Sequence, residues 1–182
     1  MTDPAPTGAR LRFVVVDESV TDALIDGLLR VARSHPDFLA SHEGSDGSAG
    51  VFDRAMLERD LAVALMDPLR HVWALRDRRV DGDDVIGWAD TLDEHPTDGV
   101  PWVGLLEIRA DHARRGYGRE AAGAIARYYA ERGTDRLRLG VDDGNQTAYA
   151  FWTALGYQEV DRRTRRGPAG RSAVLVMETE LS

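Results

Sequence analysis

The 182-residue sequence contains no cysteine. Disulfide staples, thiolate zinc sites and a cysteine nucleophile carrying a covalent acyl group are therefore excluded. Lysine is missing as well, since all 23 basic residues are arginine. That removes a Walker A phosphate loop and a pyridoxal Schiff base, both of which need a lysine amine. It also leaves no side-chain amine for self-acetylation. No apolar run approaches the roughly 20 residues that span a membrane. Met1 to Arg10 alternates Pro, Asp, Thr and Gly without the apolar centre of a signal peptide, so a flexible tail over 1–9 and a cytoplasmic location are expected. Basic excess is lacking too: the net charge of −8 argues against nucleic acid, whose phosphates need a basic face. A cationic partner suits this charge better.

The chain has enough apolar residues, 43%, for one sizeable core, and a single domain over 10–182 is expected. Residues 11–16 read as a β-branched strand, and Leu24, Ile25, Leu28, Leu29 and Ala32 follow at helical spacing behind a Ser19 or Thr21 cap. A Gly- and Ser-rich loop over 41–50 precedes a second helix from about Asp53 to Met66. His71 to Leu75 and Val85 to Ala89 are strand-like and joined through Asp81-Gly82, a dipeptide suited to a tight hairpin turn. Trp102 to Ile108 is another strand, and Gly116 to Arg132 a helix closed by Gly133. Strand 137–141, helix 145–155 and a hairpin from Tyr157–Arg163 and Ala173–Thr179 complete the order β-α-α-β-β-β-α-β-α-β-β. An α+β fold is expected, with a mixed, mainly antiparallel sheet and helices on both faces.

Between strand 102–108 and the next helix lies Ala113-Arg-Arg-Gly116-Tyr-Gly118-Arg119. Two glycines one residue apart let several backbone N–H groups converge, and the helix behind them adds its positive end, so the turn suits a pyrophosphate. Arg114, Arg115 and Arg119 bring charge for further phosphates. Gly116-x-Gly118-x-x-Ala121 also matches a dinucleotide fingerprint, but seven residues, Arg109 to Arg115, separate strand and glycine, and only about 40 follow Asp142. That is too few to complete a parallel sheet. No Gly-x-Ser-x-Gly elbow is present, which disfavours a serine hydrolase.

Leu106 to Gly118 resembles motif A of the GNAT (Gcn5-related N-acetyltransferase) family, whose core is Gln/Arg-x-x-Gly-x-Gly/Ala after a strand. Asn145-x-x-Ala148-x-x-Phe151-Trp152-x-x-x-Gly156-Tyr157 resembles its motif B. The two stand in the family's order, one helix and one strand apart. Ala113 replaces the usual Gln or Arg, and Ala110 a frequent Pro.

The resemblance implies a GNAT fold and an N-acetyltransferase that moves an acetyl group from acetyl-CoA to a primary amine of a small molecule or peptide by direct attack on the thioester. It implies that strands 102–108 and 137–141 splay around the pantetheine arm. Leu106 and Ile108 would bond that arm, and the Leu106 N–H would polarise the thioester carbonyl. The turn from Arg114 through Arg115, Gly116, Tyr117 and Gly118 to Arg119 would hold the phosphates, and Asn145 and Trp152 would border the arm. Glu107, a carboxylate in an otherwise apolar strand and on the opposite face from Leu106 and Ile108, is the candidate base; its alternative is an ion pair with a neighbouring Arg. Asp90, Glu94 and His95 could bind a cationic acceptor or relay its proton, whereas His112 lies too near the phosphate turn. The family's usual acid, a Tyr in motif B, is Trp152 here, so Tyr149 is either a substitute acid or a packing residue. A thiolate leaving group with a pKa near 8.5 needs no protein acid. A catalytically impaired acyl-CoA-binding module is the alternative function. The clustered Arg162, Arg163, Arg165, Arg166 and Arg171 read as a solvated loop or as a patch for an acidic group. Trp73, Trp88 and Trp102 read as core residues. The edges of the last hairpin offer a homodimer contact.

Overall fold

The computed structural model describes residues 5–35, 52–80, 82–167 and 170–181. Strand β1 (Leu11–Val16) buries Leu11, Phe13 and Val16. Helix α1 (Asp22–Arg33) is capped by Thr21, whose side chain accepts the Leu24 N–H, with Asp22 in its first turn and Arg30 and Arg33 in its last, all favourable to the helix dipole. Helix α2 (Arg54–Leu65) starts at Asp53, which accepts the Met56 N–H at 2.9 Å. Strands β2 (Arg70–Asp77), β3 (Val85–Leu92) and β4 (Trp102–Ile108) form an antiparallel meander. Of the expected turn between β2 and β3, Asp81 lies outside the described residues, and Gly82 holds φ +118°. A 3-10 turn (Ala110–His112) leads to α3 (Tyr117–Ala130), then β5 (Arg136–Asp142), α4 (Gln146–Thr153), β6 (Gln158–Gly167) and β7 (Gly170–Glu180).

The seven strands run β1-β2-β3-β4-β5-β7-β6, mixed and mainly antiparallel, as the order of elements predicts. Apolar side chains from both sheet faces gather into two clusters. One places α3 and α4 against Trp73, Leu139, Val141 and Met177; the other places α1 and α2 against Val16, Val72, Ala74 and Val85. Each buried aliphatic chain contributes about 1.5–3 kcal/mol, so the alternation of apolar residues along the strands fixes which face meets which helices. Gly27 lets α1 come close to β3: a Cβ there would stand 2.5 Å from Val85 Cγ2. That approach sets where the C-terminal end of α1 arrives.

The expected tail, 1–9, is described from Ala5 on. Ala5 packs against the α3 cluster, Pro6 and Gly8 are buried, and Arg127 donates to the Thr7 carbonyl at 3.0 Å. Packing on a helix, which residue types alone do not reveal, holds this segment. The loop read over 41–50 lies outside the described residues.

Candidate functional site

Strand β4 pairs with β3 over its whole length but, among the described residues, with β5 only at Trp102–Arg138 and Val103–Leu139. On its other edge β5 pairs with β7 along its whole length, from Arg136–Glu180 to Asp142–Val174, so beyond Leu139 it keeps β7 and leaves β4. The sheet is thus split between its two parallel strands. A bulge lies at the split: Thr91 faces Val103 and Asp90 faces Leu105, so Gly104 is the extra residue. The Arg109 N–H donates to the Ile86 carbonyl on the β3 side at 2.8 Å. Alternation along the strand then points the peptide N–H groups of Leu106 and Ile108 away from β3, into the opening.

At the mouth of the opening, the turn before α3 holds two left-handed residues, Arg114 at φ 58° and Gly116 at φ 85°. Alternating backbone hands of this kind turn successive N–H groups to one side, and the first N–H groups of α3 have no partner within the helix. The side chains of Arg114, Arg115 and Arg119 are exposed beside the turn. Tyr117 is different: its ring is buried, and its hydroxyl donates to Asp77 while Arg79 approaches it at 2.6 Å. Its side chain therefore serves the core, and its backbone alone faces the turn. Phe151 of α4 borders Gly118 and Ile108: a Cβ on Gly118 would lie 3.4 Å from the Phe151 ring and 3.8 Å from Ile108. The backbone donors, the helix end and the exposed guanidinium groups fit a pyrophosphate, and the free edge of β4 fits a pantetheine amide.

Glu107 lies on the other face of the sheet, opposite Trp88 on β3. It is 8% exposed. The Trp88 indole N–H donates to its Oε2 at 2.7 Å, and its Oε1 is buried without a partner. Burial pushes the Glu107 carboxyl up from the usual carboxylate range; the Trp88 hydrogen bond and the charge of His35 oppose this without cancelling it. An ion pair with arginine, the alternative sequence reading, is not formed among the described residues. His35, read from sequence only as a helix end, stands nearby: its Nε2 lies 2.7 Å from the Ile108 carbonyl, which can only accept, so this nitrogen carries the proton. The Ser34 hydroxyl accepts the Ala110 N–H at 3.1 Å and pins the same helix end to the turn that follows β4.

The other sequence candidates scatter around this centre. Asp90 is buried and held by Arg70, whose Nε reaches both carboxylate oxygens at 2.9 Å. Glu94 is exposed in the β3–β4 loop. His95 stacks on Trp102 with 4.3 Å between ring centroids, and burial lowers its pKa. His112 contacts Asp111 and Arg109. The Oδ1 of Asn145 caps α4, accepting the Ala148 N–H at 3.0 Å. Trp152 is buried and packs edge-on to Phe151 and Tyr157, in the core. Tyr149 is half-buried against the same cluster. Arg162 pairs with Glu159, and Arg163 with Asp161 and Asp98, so these two belong to a neutralised surface; the side chains of Arg165, Arg166 and Arg171 lie outside the described residues. Trp73 sits in the core as read. Trp88 and Trp102 each also carry a polar contact, to Glu107 and Asp98.

A mixed sheet split between two parallel strands, with a glycine-containing turn and a helix N-terminus at the mouth of the split, is the architecture of the acetyltransferase fold class. A family model described as the acetyltransferase (GNAT) family matches residues 28–157, and the chain belongs to that family. An acetyltransferase from Thermus thermophilus superposes with a TM-score of 0.70 at 26% identity, covering 94% of this chain and 97% of its own. A GNAT-family protein from Chromobacterium violaceum gives 0.75 at 15% identity, with 96% and 85% covered. The spermidine N-acetyltransferase of Vibrio cholerae, solved with CoA and spermine, gives 0.66 at 13% identity, with 94% and 96% covered. No curated protein matches the sequence significantly. None of the described helices is long and apolar enough to cross a membrane.

Proposed function

We propose that the protein transfers the acetyl group of acetyl-CoA to a primary amine of a small molecule or peptide, by direct attack of the amine on the thioester. The observation that carries this reading is the juxtaposition at β4: a free strand edge on the side of the split, and a buried carboxylate with one unpartnered oxygen, Glu107 Oε1, on the opposite face. The phosphates bind the turn from Arg114 to Arg119 through backbone N–H groups and guanidinium charge, and the pantetheine arm lies along Leu106 and Ile108. Asn145 borders that arm through its amide, and Trp152, buried against Phe151 and Tyr157, supports helix α4 from the core.

An alkyl amine is protonated at neutral pH and attacks only as the free base. Glu107, with its pKa raised by burial, is the group that takes this proton. The Leu106 N–H stabilises the negative charge that develops on the carbonyl oxygen. The thiolate leaves without an obligatory protein acid, because its pKa is near 8.5. The net charge of −8 favours a cationic acceptor, and the spermine-bound relative makes polyamines the first candidates.

A second reading, a module that binds acyl-CoA without turnover, draws on Trp152 at the position of the family's acid. Two experiments test both. Calorimetric titration with acetyl-CoA is expected to show binding by the parent and none by Gly116→Asp/Gly118→Asp; no binding by folded parent protein overturns the acetyltransferase reading. An amine panel headed by spermidine is expected to show CoA release that falls by about 10²–10⁴ in Glu107→Gln. Binding without turnover of any amine would favour the second reading.

A further inference from the structure

Glu107 and Trp88 are direct cross-strand neighbours on β4 and β3, and both side chains lie on the face covered by α1 and α2. Trp88 packs against that helical cluster, so the ring is held where its N–H meets Oε2 at 2.7 Å. An indole N–H only donates and cannot take up a proton. It therefore acts only as a donor to one carboxylate oxygen, while the other, Oε1, has no partner. Two further charged or titratable groups near this pair are committed elsewhere: Asp90 of β3 to Arg70 of β2, and His35 at the end of α1 to the Ile108 carbonyl. Among the described residues, Trp88 has no competitor for the Glu107 carboxylate.

We propose that Trp88 is a positioning residue for proton transfer: its N–H fixes the Glu107 carboxylate so that Oε1 alone receives the proton of the acceptor amine. The proposal rests on Glu107 being the base. The hydrogen bond favours the ionised carboxylate, the form that can take up a proton, against the burial that raises its pKa.

The test follows the carboxyl of Glu107 by carbon NMR and the Trp88 indole N–H by proton–nitrogen NMR across pH, in the whole protein. In the parent the indole signal is expected to move through the pH at which Glu107 titrates, and in Glu107→Gln to stay still. In Trp88→Phe the Glu107 titration is expected to rise by about one unit, the size of one charge-assisted hydrogen bond. The acid limb of kcat/KM, with spermidine as the probe amine, is expected to shift alike. An unchanged Glu107 titration in Trp88→Phe overturns the proposal. So does a parent indole signal indifferent to Glu107, an outcome that needs no folded Trp88 variant. Failure of the underlying reading looks different: Glu107→Gln would then keep the rate and acid limb of the parent while the NMR coupling persisted.

Discussion

The carboxylate of Glu120, in the first turn of α3, accepts the backbone N–H groups of Arg10 and Leu11 at 2.5 and 3.0 Å and the Arg10 Nε–H at 2.6 Å. The same arginine lies over the Tyr117 ring and donates from Nη1 to the Arg115 carbonyl at 3.0 Å. The residues before β1 are thereby fastened to the proposed phosphate turn, far away in sequence.

Glu120→Gln keeps the size of the side chain but removes the charge from all three bonds. A stability loss of about 1–3 kcal/mol is expected by urea denaturation, with acetyl-CoA affinity several-fold lower because the turn loses its brace. Unchanged affinity at reduced stability would mean that the turn holds its shape without Arg10.

Gly116 at φ 85° and Arg114 at φ 58° separate backbone from charge. A side chain at Gly116 is strained by about 1–2 kcal/mol and meets Arg10 Nη2 at 3.2 Å, so Gly116→Ala should weaken acetyl-CoA binding. Arg114→Gly relieves the left-handed backbone; thermal unfolding is expected at the same or a higher temperature, while calorimetry shows affinity reduced by the lost phosphate contact.

Trp152 fills the core beside Phe151 and Tyr157, whose own hydroxyl is buried without a partner. Trp152→Ala should cost about 3–5 kcal/mol. Trp152→Tyr restores the family's residue type but adds another hydroxyl to this apolar site, so stability falls and kcat does not rise. A tenfold rise in kcat would show that this position reaches the leaving sulfur.

Asp98 gathers the β3–β4 loop onto β5 and β6. Burial opposes its ionisation, yet hydrogen bonds from Arg163, the Val100 N–H, Trp102 and Arg138 outweigh this and hold its carboxyl at about 2. A carboxyl lowered in the folded state adds stability above its unfolded pKa, near the ordinary aspartate value, and loses it as pH falls toward 2. The contribution is on the order of 2 kcal/mol. Asp98→Asn should lower the stability at pH 7 and flatten its pH dependence between about 4 and 2, measured by urea midpoints.

Much of the candidate site is legible in the sequence because its signals are local. A glycine pair ahead of a helix, an acidic residue inside an apolar strand and an Asn-x-x-Ala-x-x-Phe spacing are each read within a few residues, and β4 has the predicted bounds, Trp102–Ile108. His35 and Arg10 were not legible as site residues. Each acts through a partner far along the chain, Ile108 for one and Glu120 and Arg115 for the other, and no local pattern encodes that pairing. Trp88 was half legible: its strand and apolar character could be read, but its hydrogen bond to Glu107 depends on the β3–β4 register, which includes a bulge at Gly104.

The sequence by itself determined the order of elements, the face that each strand buries, the turn that curls before α3 and the absence of thiol and lysine chemistry. These follow from side-chain periodicity, glycine's conformational freedom and composition. Only the tertiary structure decided that β5 leaves β4 after two pairs, that Trp152 turns into the core and that Glu107 keeps one oxygen without a partner. Those outcomes depend on which strand edges and side chains meet across the sheet, and competing contacts distant in sequence settle that only once the whole chain has packed.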